Sequence, residues 1–212
     1  MEKNDKEIII TSNKIDKHDG YDYELYTTTG VANMKLEPGG TFSCDWRDNH
    51  NTIFRKGFKF DLTKTHNQLG NVTIDYQCDY HPNFEPNGTS YLTVYGWSVD
   101  PMIEFYIVES WGIWRPPGEE PVGTIEVDGG TYDVYNCLRV EKPSIRGTQT
   151  FRVYWSVRRE RKTEGHISVS QHFREWEKLG LHLGKMYEIS LSVEGYQSSG
   201  YAHVTKNDIK FL

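Results

Sequence analysis

The chain has 212 residues, with 24 Lys and Arg against 30 Asp and Glu and a formal charge of −6; this excludes the broad basic face expected of a nucleic-acid binder. Aromatic residues make up 14% of the chain within a hydrophobic fraction of 36%, which rules out disorder for the bulk of it and suits a single domain of ordinary size. No apolar run approaches the ~18 residues of a membrane-spanning helix, so no membrane partner is expected.

Residues 1–20 carry nine charges of alternating sign, with only Ile8, Ile9 and Ile10 to offer a core. This stretch reads as a mobile tail, with one edge strand at the isoleucines. It lacks the basic start, apolar middle and small-residue cleavage site of an export signal. From Tyr21 to Leu212 there is neither a linker nor a repeat, so residues 21–212 are expected to be one domain. Cys44, Cys78 and Cys137 form no C-x-x-C pair. That excludes a zinc ribbon or redox motif and leaves at most one disulfide, with three pairings open.

Turn signals follow at short intervals: Pro38-Gly39-Gly40, Pro86-Asn87-Gly88, Pro116-Pro117-Gly118 and Asp128-Gly129-Gly130. The runs between them are rich in Tyr, Val, Ile and Thr, the signature of an all-β sandwich or barrel. In the run from Tyr91 to Trp97, Leu92, Val94 and Gly96 share one face while Tyr91, Thr93, Tyr95 and Trp97 share the other. Ile103, Phe105 and Ile107 are likewise opposed to Glu104 and Tyr106. One segment breaks the β pattern: from Ser170 to Gly180, a capping Ser, apolar Phe173, Trp176 and Leu179 and a stop glycine predict about three turns of surface helix. Beyond it, Ile189, Leu191 and Val193 are opposed to Ser190, Ser192, Glu194 and Tyr196. Three strands therefore pair an aliphatic core face with an aromatic, hydroxyl-rich face that carries a carboxylate. Such a face is expected to line a cleft.

Tyr and Trp offer flat apolar area with a polar edge, which suits sugar rings. Two glutamates among them suit glycoside hydrolysis, where one carboxylate attacks and another, with a raised pKa, protonates the leaving oxygen. Each glutamate taken alone is more simply a half-exposed strand residue. Further segments join them in order: Pro101-Met-Ile-Glu-Phe-Tyr-Ile-Val-Glu-Ser-Trp-Gly112, Asp128-Gly-Gly-Thr-Tyr-Asp133, Pro143-Ser-Ile-Arg-Gly147, Tyr154-Trp-Ser-Val-Arg158 and Val193-Glu-Gly-Tyr-Gln-Ser-Ser-Gly200. Together they resemble family 11 glycoside hydrolases, the endo-β-1,4-xylanases, over roughly residues 21–212.

The resemblance implies a β-jelly roll of two curved, mainly antiparallel sheets packed as a sandwich, with one helix near 170–180. It implies a retaining enzyme with Glu104 as nucleophile and Glu194 as general acid/base, their carboxyl groups about 5 to 5.5 Å apart. Xylan or xylo-oligosaccharide would lie against Tyr26, Tyr91, Tyr95, Tyr106, Trp155 and Arg139. The Pro143 carbonyl and Ile145 would touch it from a thumb loop at Pro143 to Gly147, and Asn51 would neighbour the acid/base. Trp114 matches an aromatic on the leaving-group side and fits a core position equally well. Three positions depart from the family pattern: Tyr26 replaces a Trp platform, Val153 a substrate-binding Gln and Glu188 a Tyr, so sugar binding on the nonreducing side is expected to weaken. The segment from Asp79 to Pro86 is expected to lengthen the loop before Tyr91 and extend the cleft rim.

Eight histidines show no paired ligand spacing and read as scattered surface residues, so no metal and no other cofactor is expected. Arg158-Arg159-Glu160-Arg161-Lys162 reads as a solvated turn. Secretion is expected, because the substrate is a polymer, and the protein is expected to be a monomer. The alternative is a noncatalytic lectin or carbohydrate-binding module on a similar sandwich, which needs an aromatic platform but no facing glutamates.

Overall fold

The computed structural model describes residues 8–83 and 88–212. Thirteen strands form one hydrogen-bonded sheet: β1 (Ile8–Ile10), β2 (Lys14–His18), β3 (Tyr21–Thr27), β4 (Val31–Leu36), β5 (Phe42–Lys59), β6 (Val72–Pro82), β7 (Thr89–Val99), β8 (Ile103–Trp111), β9 (Gly123–Val127), β10 (Gly130–Ser144), β11 (Gly147–Arg158), β12 (Glu164–Ile167) and β13 (Lys185–Phe211). Among the named strands, only β8 and β11 pair in parallel.

Two layers are present, as expected of a jelly roll, and two long strands join them. β5 has 18 residues and β13 has 27. The first part of β5 pairs with β4, while its second part pairs with β3. Correspondingly, β13 pairs with β7 over residues 185–196 and with β6 over residues 200–211. The register of β13 against β5 shifts between Ser198 and Gly200. At Gly200 a Cβ would sit 2.4 Å from the Trp46 ring, so glycine lets the strand cross closely over the indole. One layer therefore holds β1, β4, β6 and β12, and the other holds β2, β3 and β7 to β11.

The core forms where the two layers face each other. Ile103, Phe105 and Ile107 of β8, Leu92 and Val94 of β7, and Ile189, Leu191 and Val193 of β13 pack with Met34, Phe42 and Cys44 of the opposite layer. Each such side chain contributes about 1.5–3 kcal/mol on burial. The small residue in this pattern is Gly96, where a Cβ would sit 2.3 Å from the Phe105 ring and 2.0 Å from the Glu188 carbonyl. Any side chain there would push β7 away from β13.

Helix α1 (Val169–Lys178) starts earlier than its sequence suggests. Ser168, not Ser170, stands at its N-cap position, and its N–H and hydroxyl donate to Asp128. The Ser170 hydroxyl accepts instead from the Val72 N–H and ties the helix to β6. Phe173 and Trp176 join the core, and Gly180, with φ +78°, follows the C-terminal end.

Other expectations need correction. Residues 8–20 hold two strands, β1 on β4 and β2 on β3, while residues 1–7 lie outside the described residues. The charges of β2 lie along an edge, where Lys14 pairs with Asp16 in the open and Lys17 reaches back to the buried Asp22, which discourages further strand pairing. Residues 79–82 extend β6 against residues 200–203 rather than forming a loop; residues 84–87 lie outside the described residues. His66 and His172 are buried, not superficial, and burial pushes His172 down to about 3. Arg158 is buried too, donating to the Tyr132 hydroxyl beside Glu109. All three cysteines are buried and free.

Candidate active site

The face of β7, β8 and β13 turned away from the core carries the aromatic and hydroxyl side chains. Tyr91, Tyr95, Trp97 and Tyr106 form a second apolar cluster with Trp155 and Phe151 of β11. Along β7, Glu194 pairs with Tyr91 and Glu104 with Trp97. In a flat sheet that offset of six residues would separate them by ~20 Å along the strand. Both glutamates nevertheless line one cleft of about 420 Å³, so the sheet curls to bring them face to face. A second hollow, of about 530 Å³ among Phe58, Phe60, Leu69 and Phe211, contains neither glutamate.

Glu104 opens to the cleft and is held from two sides. The Tyr95 hydroxyl donates to its Oε1 at 3.0 Å and the Tyr106 hydroxyl to the same atom at 3.2 Å. Trp97 Nε1 donates to the Tyr95 oxygen at 2.6 Å, so the phenol proton is aimed at the carboxylate. Burial away from water raises the Glu104 pKa, while the two phenols and the charges of Arg139 and Arg55 oppose the rise.

Glu194 differs in its surroundings. It is 8% exposed, and its pKa is pushed up to about 8, first by burial and next by the negative charge of Glu104. Its Oε2 is sealed from solvent with no hydrogen-bond partner, and so is Asn51 Oδ1. Ile53 is the cross-strand partner of Glu194, and Asn51 stands two residues before it on the same face. Two sealed acceptors on diagonal positions are unfavourable. A proton on Glu194 turns one of them into a donor.

Tyr26, Asn51, Tyr95, Tyr106, Pro143 and Ile145 line the cleft with the two glutamates. Pro143 and Ile145 come from the hairpin joining β10 to β11, closed by the Ser144 hydroxyl donating to the Gly147 carbonyl at 2.6 Å. Gly147 has φ +78°, a conformation glycine adopts without strain. Tyr91 and Trp155 are buried beside the cleft instead of lining it. Trp155 stacks on Tyr106 with centroids 3.9 Å apart, and Tyr91 meets Trp155 edge-on at 5.9 Å. Arg139 is exposed on β10, outside the lining, although its charge acts on both glutamates. Trp114 is 46% exposed in the segment after β8 and does not line the cleft; its ring packs by Gly118.

Sequence reasoning missed Glu24, Arg55, Lys59 and Tyr187, all of which line the cleft. Val153 and Glu188, noted only as departures, flank the site: Val153 pairs with Glu104 across β11 and β8, and Glu188 is 1% exposed against Arg55. The available signal was strand alternation, which puts Arg55 on the same face as Asn51 and Ile53.

A curled β-sandwich that sets two carboxyl groups of unlike pKa in one aromatic groove has the arrangement of a glycoside hydrolase. The sequence model of glycosyl hydrolases family 11 matches residues 18–205, and the chain belongs to that family. It is 56% identical over 202 residues to an endo-1,4-beta-xylanase A of Thermoclostridium stercorarium, covering 95% of this chain and 30% of that protein. It is also 52% identical over 200 residues to the endo-1,4-beta-xylanase A of Bacillus pumilus, covering 94% and 86% respectively. The chain spans about a third of the length of the first of these relatives. Among solved structures, the family 11 xylanase from Neocallimastix patriciarum superposes with a TM-score of 0.90 at 33% identity, covering 97% of this chain and all of that one.

Proposed function

We propose that the chain is an endo-β-1,4-xylanase acting by retaining double displacement, with Glu104 as nucleophile and Glu194 as acid/base. The observation that carries this reading is the unequal pair. Glu104 receives two phenol hydrogen bonds that favour its charged form, whereas Glu194 is pushed up to about 8 and keeps its proton at neutral pH. In the first step the Glu104 carboxylate forms a bond to the anomeric carbon as the glycosidic bond breaks, and the departing oxygen takes the proton of Glu194. Once Glu104 is an ester its charge is gone, the pKa of Glu194 falls, and Glu194 serves as base. Water then loses a proton to Glu194, attacks the same carbon and releases Glu104. The sugar leaves with its original configuration.

Tyr26, Asn51, Pro143 and Ile145 are positioned to touch successive xylose units along the cleft, and Tyr95 and Tyr106 to flank the reacting ring. Tyr91 and Trp155 act from beneath by fixing Tyr106, while Arg139 and Trp114 would meet sugar only beyond the cleft. Wall xylan is too large to enter a cell, so on this reading the protein works outside it. No helix among the described residues is long and apolar enough to cross a membrane. A binding module is the competing reading, but it gives no reason for a buried carboxyl held in its neutral form. Reducing sugar should appear from soluble xylan, with a rapid fall in viscosity as internal bonds break. Tight xylan binding without sugar release would instead establish the module.

A further inference from the structure

Beneath Tyr95 lies an ion network with no part in the two steps above. Arg55 of β5 is 5% exposed. Its Nε donates to Glu188 Oε1 at 2.7 Å, and its Nη2 donates to Glu24 Oε2 at 2.6 Å and to Glu188 Oε2 at 3.3 Å. The Ser190 hydroxyl donates to Glu188 at 2.7 Å, and Lys59 reaches Glu24 at 3.2 Å. The guanidinium carbon lies 4.8 Å from the centre of the Tyr95 ring. Space for this arrangement comes from Gly57, between Arg55 and Lys59 on the same face, where a Cβ would stand 2.5 Å from Ser190 Oγ.

A buried ion pair is weak support for stability, since apolar residues of similar volume often serve as well. Here the pair of Arg55 with Glu188 is bidentate, and Arg55 lies against a ring whose hydroxyl bonds Glu104 and lines the same cleft as both glutamates. We propose that Arg55 is a positioning residue for the cleft glutamates: clamped by Glu188 and Glu24, it fixes the Tyr95 ring against Glu104 and provides a positive charge below the pair that Glu188 partly offsets. The proposal rests on the catalytic reading of Glu104 and Glu194.

The charges facing the pair come from several strands. Glu24 on β3 and Glu188 on β13 are negative, while Arg55 and Lys59 on β5 and Arg139 on β10 are positive. The phenols of Tyr91 and Tyr95 on β7 and Tyr106 on β8 stay neutral, because burial raises the pKa of each. Removing Arg55 thus leaves two carboxylates below the site with Lys59 as their near counter-charge. Removing the charge of Glu188 leaves Arg55 more strongly felt.

The test is the pH profile of kcat/KM on an aryl xylobioside. Its acid limb reports ionisation of Glu104 and its basic limb ionisation of Glu194. Arg55→Gln should move both limbs upward, and Glu188→Gln should move both downward, each by ~0.5 to 1 pH unit for one charge at this range. Arg55→Lys keeps the charge without the fork, so its limbs should stay near those of the parent while kcat falls several-fold. If Arg55→Gln fails to fold, Glu188→Gln, which retains size and hydrogen-bonding capacity, still decides the matter. Variants that lose stability or kcat with both limbs unmoved would show a purely structural network and overturn the proposal. Should the parent prove inactive on xylan, the functional reading fails by itself. Carbon-13 NMR titration of the Glu104 and Glu194 carboxyls in the same variants must still show the opposite shifts, and titrations that do not move would overturn the positioning role.

Discussion

Replacing Glu194 by Gln should stabilise the protein, by an amount that depends on pH. The folded carboxyl is pushed up to about 8 from an ordinary value of 4.5. Below pH 4.5 both folded and unfolded chains carry the proton, and the residue adds no pH dependence. Between those two values the folded chain holds a proton that the unfolded chain has released, so unfolding releases a proton and stability falls as pH rises. The slope is ~1.4 kcal/mol per pH unit. At pH 6.5, two units above the unfolded value, the parent is therefore less stable by ~2.7 kcal/mol than it would be with a permanently neutral side chain. Gln is such a side chain, and its amide places a donor where the sealed Glu194 oxygen has no partner. Urea unfolding at pH 4, 5, 6 and 6.5 should show Glu194→Gln equal to the parent at pH 4 and more stable by ~2–3 kcal/mol at pH 6.5, or ~5–10 °C in Tm. An advantage that stays constant across this range, or a loss of stability at neutral pH, would refute the raised pKa.

Tyr95→Phe removes one of the two phenol donors to Glu104; kcat/KM should fall ~10–100-fold and its acid limb should rise, whereas an unmoved limb would mean that the hydroxyl does not hold the carboxylate. Asn51→Asp puts a third carboxyl beside the pair, which will share a proton with Glu194 and split its titration; the pH optimum should drop below that of the parent, and an unchanged profile would place residue 51 out of reach of Glu194. A cleft walled by tyrosines and by Pro143 to Ile145 is expected, by its family, to fit a ring without an exocyclic CH2OH, and each ~1.4 kcal/mol of conflict per subsite is tenfold in rate. Turnover of carboxymethylcellulose should therefore lie at least ~100-fold below that of xylan, and comparable turnover of the two would disprove a groove fitted to xylose.

Alternation within single strands was legible because it depends only on neighbours in sequence. The two faces of Tyr91 to Trp97, Ile103 to Val108 and Ile189 to Tyr196 all stand as read, and with them the cleft positions of Glu104, Glu194, Tyr95 and Tyr106. Pairing between distant strands is not encoded that locally. The polar run Arg47-Asp-Asn-His-Asn51 resembles a loop, yet it lies inside β5 because its backbone pairs with β4 and β13. Residues 8–18 look like a tail for the same reason: their charges suit an edge, and only the availability of β3 and β4 makes them strands. Arg55 was overlooked as one charge in a charged chain, since its partners Glu24 and Glu188 lie 31 and 133 residues away. The exposed places of Arg139 and Trp114 were likewise beyond a reading by position alone.

The proposed division of labour between Glu104 and Glu194 can be read from a single trapped intermediate. Glu194→Ala, given an aryl xylobioside whose phenol departs without protonation, should accumulate a covalent xylobiosyl-enzyme visible in the intact-protein mass, and peptide mapping should place the sugar on Glu104. Added azide should then release a β-glycosyl azide. Attachment of the sugar to any other residue, an α-configured azide from this variant, or inversion at the anomeric carbon in the parent reaction would rule out Glu104 as nucleophile with Glu194 as acid/base.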